Sequence, residues 1–178
     1  MAAGTLPTLP PLGTLNACDA AAFVAHLAPF FETASPLLDA LATRRPFASD
    51  ASLFDAARAI AATLPLAQQR AILDAHPAIG APRAALSAFS SREQGYDGAD
   101  ALDAAQGADV SEQLAALNAL YRERHGFTFV VFVNGRSQEA LLPILRERLE
   151  RPTVDELATA LGELVAIAQH RAQRKPTA

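Results

Sequence analysis

Apolar residues recur along this chain at helical spacing. Beyond Asp19, Phe23, Leu27, Phe30 and Phe31 fall at i, i+4, i+7 and i+8, which puts them on one face of an amphipathic helix. Ser35-Pro36 reads as the cap and first position of a second, short helix. Ser49 or Asp50 opens a third with Leu53, Phe54, Ala57 and Ile60 inward, and Pro65 opens a fourth that runs to His76. There Pro77 pushes the preceding residue out of the α region. Asp109 or Ser111 starts a helix with Leu114, Leu117, Leu120 and Tyr121 inward, and Gly126 suits its end. Ser137 begins another through Leu141, Leu142, Ile144, Leu145 and Leu149, although the interior Pro143 points to a later start. The run Thr153-Val154-Asp155-Glu156 has the form of a capping box. It leads a last helix with Leu157, Leu161, Leu164, Val165 and Ala168 inward, whose basic end at His170, Arg171, Arg174 and Lys175 suits the helix dipole.

Two stretches break this period. Residues 1–13 carry Pro7, Pro10 and Pro11 with no helical repeat and read as a flexible tail, leaving residues 14–174 as one helical domain. Phe127 to Val133, FTFVVFV, is aromatic and β-branched, so local propensity says strand. No second comparable run exists to pair with it. A buried connector or an apolar helix start would explain the same residue types.

Composition narrows the class of protein. At 178 residues and 18.7 kDa the chain can bury one sizeable core, and much of its 51% hydrophobic content is alanine, which buries little area per residue. A net charge of −4 argues against a nucleic-acid footprint, which needs a basic face. The single Cys18 has no disulfide partner, no secretory signal is recognisable, and Phe127–Val133 is too short to span a bilayer. A cytoplasmic protein, binding neither membrane nor nucleic acid, fits best.

Candidate chemistry gathers between Leu73 and Gly98. A histidine at a helix C-terminus faces unsatisfied carbonyls that favour the protonated ring, so His76 has the makings of a proton donor; a plain C-terminal cap is the commoner use. Ser90-Ser91-Arg92-Glu93 fits the capping box, which by itself explains Glu93. Taken together, a histidine and a carboxylate flanking one loop rich in proline and glycine are candidates for an acid–base pair.

The run His76-Pro77-Ala78-Ile79-Gly80, then Ser90-Ser91-Arg92-Glu93-Gln94, then Gly126-Phe127-Thr128-Phe129-Val130-Val131 resembles the 2-oxo-4-hydroxy-4-carboxy-5-ureidoimidazoline (OHCU) decarboxylases of urate breakdown. Leu15-Asn16, Phe31-Glu32 before Ser35-Pro36, and Arg45-Pro46-Phe47 extend the likeness over nearly the whole chain. Leu37 and Thr128 depart from it, standing where many relatives have tryptophan and proline. The resemblance implies an all-α, single-domain multi-helix bundle with one short extended segment near Phe127–Val133, acting as a homodimer without cofactor on OHCU to give (S)-allantoin and carbon dioxide. It implies His76 as proton donor or relay, and Glu93 as its orienting partner or as a bond to the ureido or hydroxyl groups. Ser90 and Gln94 would hold ring polar atoms, and Pro77 would shape the wall. Backbone amides of Phe127, Thr128, Phe129, Val130 and Val131 would meet carbonyl oxygens, and Arg171 is a further candidate for reaching the substrate. No metal motif or nucleotide-binding glycine pattern occurs, so no cofactor is expected. Two alternatives fit the same composition: a non-enzymatic helical interaction module, and a cofactor-free decarboxylase or lyase acting on another ureido acid. A small cavity collecting His76, Glu93 and the Phe127 segment is what separates an enzyme from a binding module.

Overall fold

The computed structural model describes residues 6–32, 36–81, 84, 86–93 and 104–174. Among them are nine helices and no strand: α1 (Leu12–Ala17), α2 (Ala20–Phe31), α3 (Pro36–Ala42), α4 (Asp50–Thr63), α5 (Leu66–Asp74), α6 (Ala88–Glu93), α7 (Ala104–His125), α8 (Gln138–Leu149) and α9 (Thr153–Gln173). The expected all-α bundle is what forms. Helix α9 is its axis, packing against α2, α4, α5 and α7. Around it, α2, α3 and α4 make one side, while α7 and α8 pair on another.

The predicted inner faces are buried in α2, α4 and α8: Phe23, Leu27, Phe30 and Phe31; Leu53, Phe54, Ala57 and Ile60; Leu141, Leu142 and Leu145. Aromatic rings tie the helices together. Phe31 stacks on Phe54 of α4 at 6.3 Å, and Phe30 meets Phe89 of α6 at 5.7 Å. Each such ring contributes roughly 1.5–3 kcal/mol on burial. Asp19 caps α2 through the Ala22 amide, Ser49 and Ser52 form a reciprocal box on α4, and Ser137 caps α8.

Several boundaries differ from the sequence reading. Helix α1 begins at Leu12, and Leu6 and Leu9 lie against the core, so the described part of residues 1–13 is anchored by its leucines. Helix α7 begins at Ala104, upstream of both expected caps, and Leu120 on it is exposed where an inward position was expected. Helix α8 starts directly after Ser137 and carries Pro143 within it, so only the one bond that this residue cannot donate is lost. The two presumed capping boxes, at Ser90–Glu93 and Thr153–Glu156, do not form. Ser87 is the residue whose hydroxyl accepts from the Ser90 amide, at 3.1 Å, and the N-cap position of α9 is Pro152. In both runs the glutamate turns inward to an arginine from another helix, because a buried charge is stabilised far more by a cation than by one backbone amide. Ser35 lies outside the described residues.

The segment between α7 and α8 is extended and unpaired by any sheet. Gly126, at φ +77°, turns the chain out of α7, and three side chains then pin the backbone. Asp74 accepts from the Thr128 amide at 2.8 Å, Arg148 donates to the Val130 carbonyl at 2.9 Å, and Glu163 accepts from the Phe132 amide at 2.6 Å. Polar side chains thus replace the ladder that a neighbouring strand would supply. Arg148 is itself held by fully buried Glu156, which also accepts from the Tyr121 hydroxyl. Burial, with the Glu156 charge beside it, raises the Tyr121 pKa, so that phenol stays protonated.

Motif residues outside the centre of the chain serve this framework. Asn16 exchanges two hydrogen bonds with the Phe47 backbone, both 2.9 Å, and Arg45 donates to the carbonyls of Leu15, Cys18 and Ala42. Leu15-Asn16 and Arg45-Pro46-Phe47 are therefore the two halves of one joint.

Candidate active site

Helix α5 ends at Asp74, two residues before the sequence reading placed its end, and the His76 amide closes the last turn on Leu73. The imidazole is carried inward rather than left at the surface: His76 is 6% exposed. Its Nδ1 lies 3.4 Å from the Ile72 carbonyl, while Nε2 is buried with no hydrogen-bond partner. A proton on Nδ1 toward that carbonyl leaves Nε2 as the working nitrogen.

Burial pushes the His76 pKa below the ordinary histidine value. The Glu32 carboxylate pulls it back up, Arg171 pushes it down, and the Ile72 carbonyl raises it slightly. The expected preference for a protonated ring at a helix end is overturned here, because desolvation outweighs the helix carbonyls.

A small cleft opens beside this ring, lined by His76, Pro77, Ile79, Ser90, Glu93, Phe129, Val130, Val131, Val133, Ile167 and Arg171. Its free volume is about 30 Å³, enough for a water or two. Past Glu93 lies a second hollow of about 330 Å³ with Arg92, Phe132, Asn134, Gly135, His170 and Arg174 on its walls. Glu93 lines both.

The polar wall is built around Arg171. Its guanidinium donates Nε to Glu93 Oε1 at 2.9 Å, Nη2 to Glu93 Oε2 at 2.6 Å and to the Ser90 hydroxyl at 3.2 Å, and Nη1 to the Phe30 carbonyl at 3.1 Å. Nη1 also faces Glu32 Oε1 at 3.3 Å, and the cation sits over the Phe89 ring, 5.2 Å from its centre. Four of its five N–H groups thereby donate hydrogen bonds, and Nη1 adds the ion-pair contact with Glu32. A buried guanidinium paired with two carboxylates is not the exposed helix-end charge that the dipole reading described.

Of the residues singled out in the sequence, His76, Pro77, Ser90, Glu93, Phe129, Val130, Val131 and Arg171 meet on this one cleft. Phe127 does not; its ring packs on Tyr121 and His125. Thr128 is also outside, its amide and hydroxyl both bonded to Asp74. Gln94 lies outside the described residues. Glu93 is bonded to Arg171, and the second carboxylate facing that guanidinium is Glu32, which sequence reasoning quoted in Phe31-Glu32 and gave no role. The available signal was an acidic residue placed directly after a core phenylalanine at a helix end. Among the described residues the amides of Phe129, Val130 and Val131 donate to no protein group, while those of Thr128 and Phe132 are taken. No cluster of three or more residues able to ligate a metal occurs among the described residues.

The family model for OHCU decarboxylase matches residues 16–173. The 2-oxo-4-hydroxy-4-carboxy-5-ureidoimidazoline decarboxylase of Amia calva is 36% identical over 132 residues, covering 72% of this chain and 73% of that protein. The uric acid degradation bifunctional protein of Bacillus sp. (strain TB-90) is 30% identical over 162 residues, which is 91% of this chain but only 31% of that longer protein. Among solved structures, an OHCU decarboxylase crystallised in the presence of (S)-allantoin superposes with a TM-score of 0.62 at 26% identity, over 78% of this chain and 88% of that one.

Proposed function

The chain belongs to the OHCU decarboxylase family and decarboxylates OHCU in urate breakdown; from the cleft's geometry we propose that His76 delivers the proton that creates the stereocentre of the product. In that reaction the bond between the hydroxyl-bearing ring carbon and its carboxylate breaks, carbon dioxide leaves, and the electron pair moves toward the neighbouring imine, whose nitrogen takes up a proton. A proton from Nε2 of protonated His76, directly or through one held water, then bonds to the adjacent ureido-bearing carbon while the hydroxyl gives up its proton and becomes the ring carbonyl, and solvent reprotonates His76. Each turnover consumes one proton. The observation that carries this assignment is the buried, unpartnered Nε2 opening on a cleft whose other polar wall is the Glu93–Arg171 pair.

Amides of the Phe129–Val131 run, which donate to no described protein group, would supply hydrogen bonds to carbonyl oxygens of the ring where negative charge gathers, and donors held in place stabilise charge without reorganising. Pro77, Ile79 and Val133 give the cleft apolar walls that keep bulk water from the reacting carbon. A substrate of this size exceeds the cleft. It must widen the walls or span into the second hollow, with Glu93 at the junction. A cleft that collects a histidine, an ion pair and free amides supports an enzyme over an interaction module, whose mark would be an open apolar groove. The proposed product is (S)-allantoin, since a single donor on one side protonates one face. Assembly as a homodimer in the cytoplasm is proposed on the family resemblance, and sedimentation of the purified protein reads the first part.

The direct test adds purified protein to freshly generated OHCU and follows its ultraviolet decay. Acceleration over the spontaneous rate is expected; an unchanged decay overturns the reading. Glu93→Gln is expected to lower kcat by about tenfold while the protein stays folded, because glutamine keeps one acceptor for Arg171 and loses the second, charged one. A variant that melts early yet turns over at the wild-type rate would make Glu93 a structural tie only.

A further inference from the structure

Glu32 stands behind this cleft with no role assigned to it. It follows Phe31 at the end of α2 in the left-handed region, φ +59°, so the chain reverses there and the side chain points back into the bundle with 5% exposure. Oε1 accepts from the hydroxyls of Ser87 and Ser90 and faces Arg171 Nη1. Oε2 is buried with no hydrogen-bond partner, and so is His76 Nε2. These two unsatisfied buried polar atoms, one a carboxylate oxygen and one an imidazole nitrogen, are complementary: the carboxylate's charge favours a proton on the ring.

Charge counting points the same way. The groups facing His76 are Glu32 from α2, Glu93 from α6 and Arg171 from α9, while Asp74 on its own helix is tied to Thr128 and Arg122. Two carboxylates and one guanidinium leave one negative charge, which a proton on His76 cancels. Burial makes Glu32 harder to ionise, but Arg171, His76 and the two serine hydroxyls together hold its pKa below the ordinary glutamate value, so the charge persists at neutral pH. Arg171, paired with both Glu93 and Glu32, has no unneutralised positive charge for an incoming carboxylate. His76 is the group in the cluster whose charge can change.

We propose that Glu32 is a positioning residue for the decarboxylation: its carboxylate seats Arg171 and favours a proton on His76 Nε2 against the burial of the ring. This rests on the decarboxylase reading of the cleft. Without the negative charge, His76 holds its proton only at lower pH, and a reaction that needs protonated His76 loses rate as pH rises through that lower pKa.

The test is Glu32→Gln, which keeps the shape and removes the charge. Two quantities are read: the His76 titration by NMR, and the pH profile of kcat/KM. Both the titration and the basic limb of the profile are expected to move acidward together by about one pH unit, with kcat at neutral pH down by about tenfold. A merely structural Glu32 would lower the melting temperature and leave the titration in place, and that result overturns the proposal. Should Glu32→Gln not fold, Glu32→Asp carries the test: withdrawing the carboxylate by one methylene is expected to give a smaller acidward shift, and an unmoved titration again overturns the proposal. Failure of the underlying reading shows separately, as wild-type protein that does not accelerate OHCU decay even where the His76 titration responds to Glu32.

Discussion

Replacing His76 with asparagine is expected to slow OHCU decarboxylation by roughly 10²–10⁴-fold, the usual contribution of a positioned proton donor, and to return the residual product toward racemic allantoin. Loss of carbon dioxide leaves a nearly planar centre, and the face that receives the next proton sets the hand. In water both faces are open. In the cleft one side carries the Nε2 of His76, and the walls of Pro77, Ile79 and Val133 hinder the approach of solvent to the other. Asparagine keeps a polar group near the same place but cannot transfer a proton at neutral pH. The ring is buried, so the change touches packing as well as chemistry. The loss in unfolding free energy is nonetheless expected to stay within about 1 kcal/mol, since Nε2 already lacks a partner and residues shaped for chemistry are seldom optimal for stability. Circular dichroism of the allantoin, measured where the variant still outpaces the spontaneous reaction, decides the matter. A slow variant that makes one enantiomer moves the donor elsewhere and leaves His76 with binding alone.

Glu156→Ala is expected to cost about 3–5 kcal/mol of unfolding free energy, the range for breaking a buried ion pair by removing one partner. The Glu156 side chain is fully buried and that of Arg148 is 4% exposed. Truncation leaves a guanidinium in the core beside Phe129, 4.7 Å from its ring centre, and removes the acceptor of the Tyr121 hydroxyl. Removing both charges is far less costly: Arg148→Met with Glu156→Leu is expected to recover most of the stability. It does not recover the Arg148 bond to the Val130 carbonyl. The double variant should therefore fold well and turn over slowly, because the segment proposed to offer its amides to the substrate has lost one of its ties to the surrounding helices. Urea unfolding of both variants, set against their rates, separates the two effects. A loss under about 1 kcal/mol for Glu156→Ala would mean that the interior relaxes around the charge.

The outcome at Glu93 and Glu156 bears on how far a sequence carries. Both occupy the fourth position of a serine- or threonine-led run, and local pattern cannot tell a cap from an inward charge, since the same residue types serve both. The inner faces of α2, α4 and α8 were readable because a helix repeats every 3.6 residues whatever surrounds it, and the caps at Ser49 and Ser137 because a cap bonds within three residues of itself. His76, Ser90, Glu93 and the Phe129–Val131 run were reached by the order of their motifs, which carried the resemblance but not their partners.

What the sequence by itself determined, then, is most of the helices, though not α1, which face of most of them is apolar, and the family. What only the tertiary structure decided is pairing across the chain. Glu93 meets Arg171 from 78 positions away, Glu32 comes to face the same guanidinium, and Asp74 takes the Thr128 amide out of the site. The reason is physical: a helical face is set by short-range geometry repeated along one element, whereas the partner of a buried charge is whichever group distant packing brings within a few ångströms once water has been excluded.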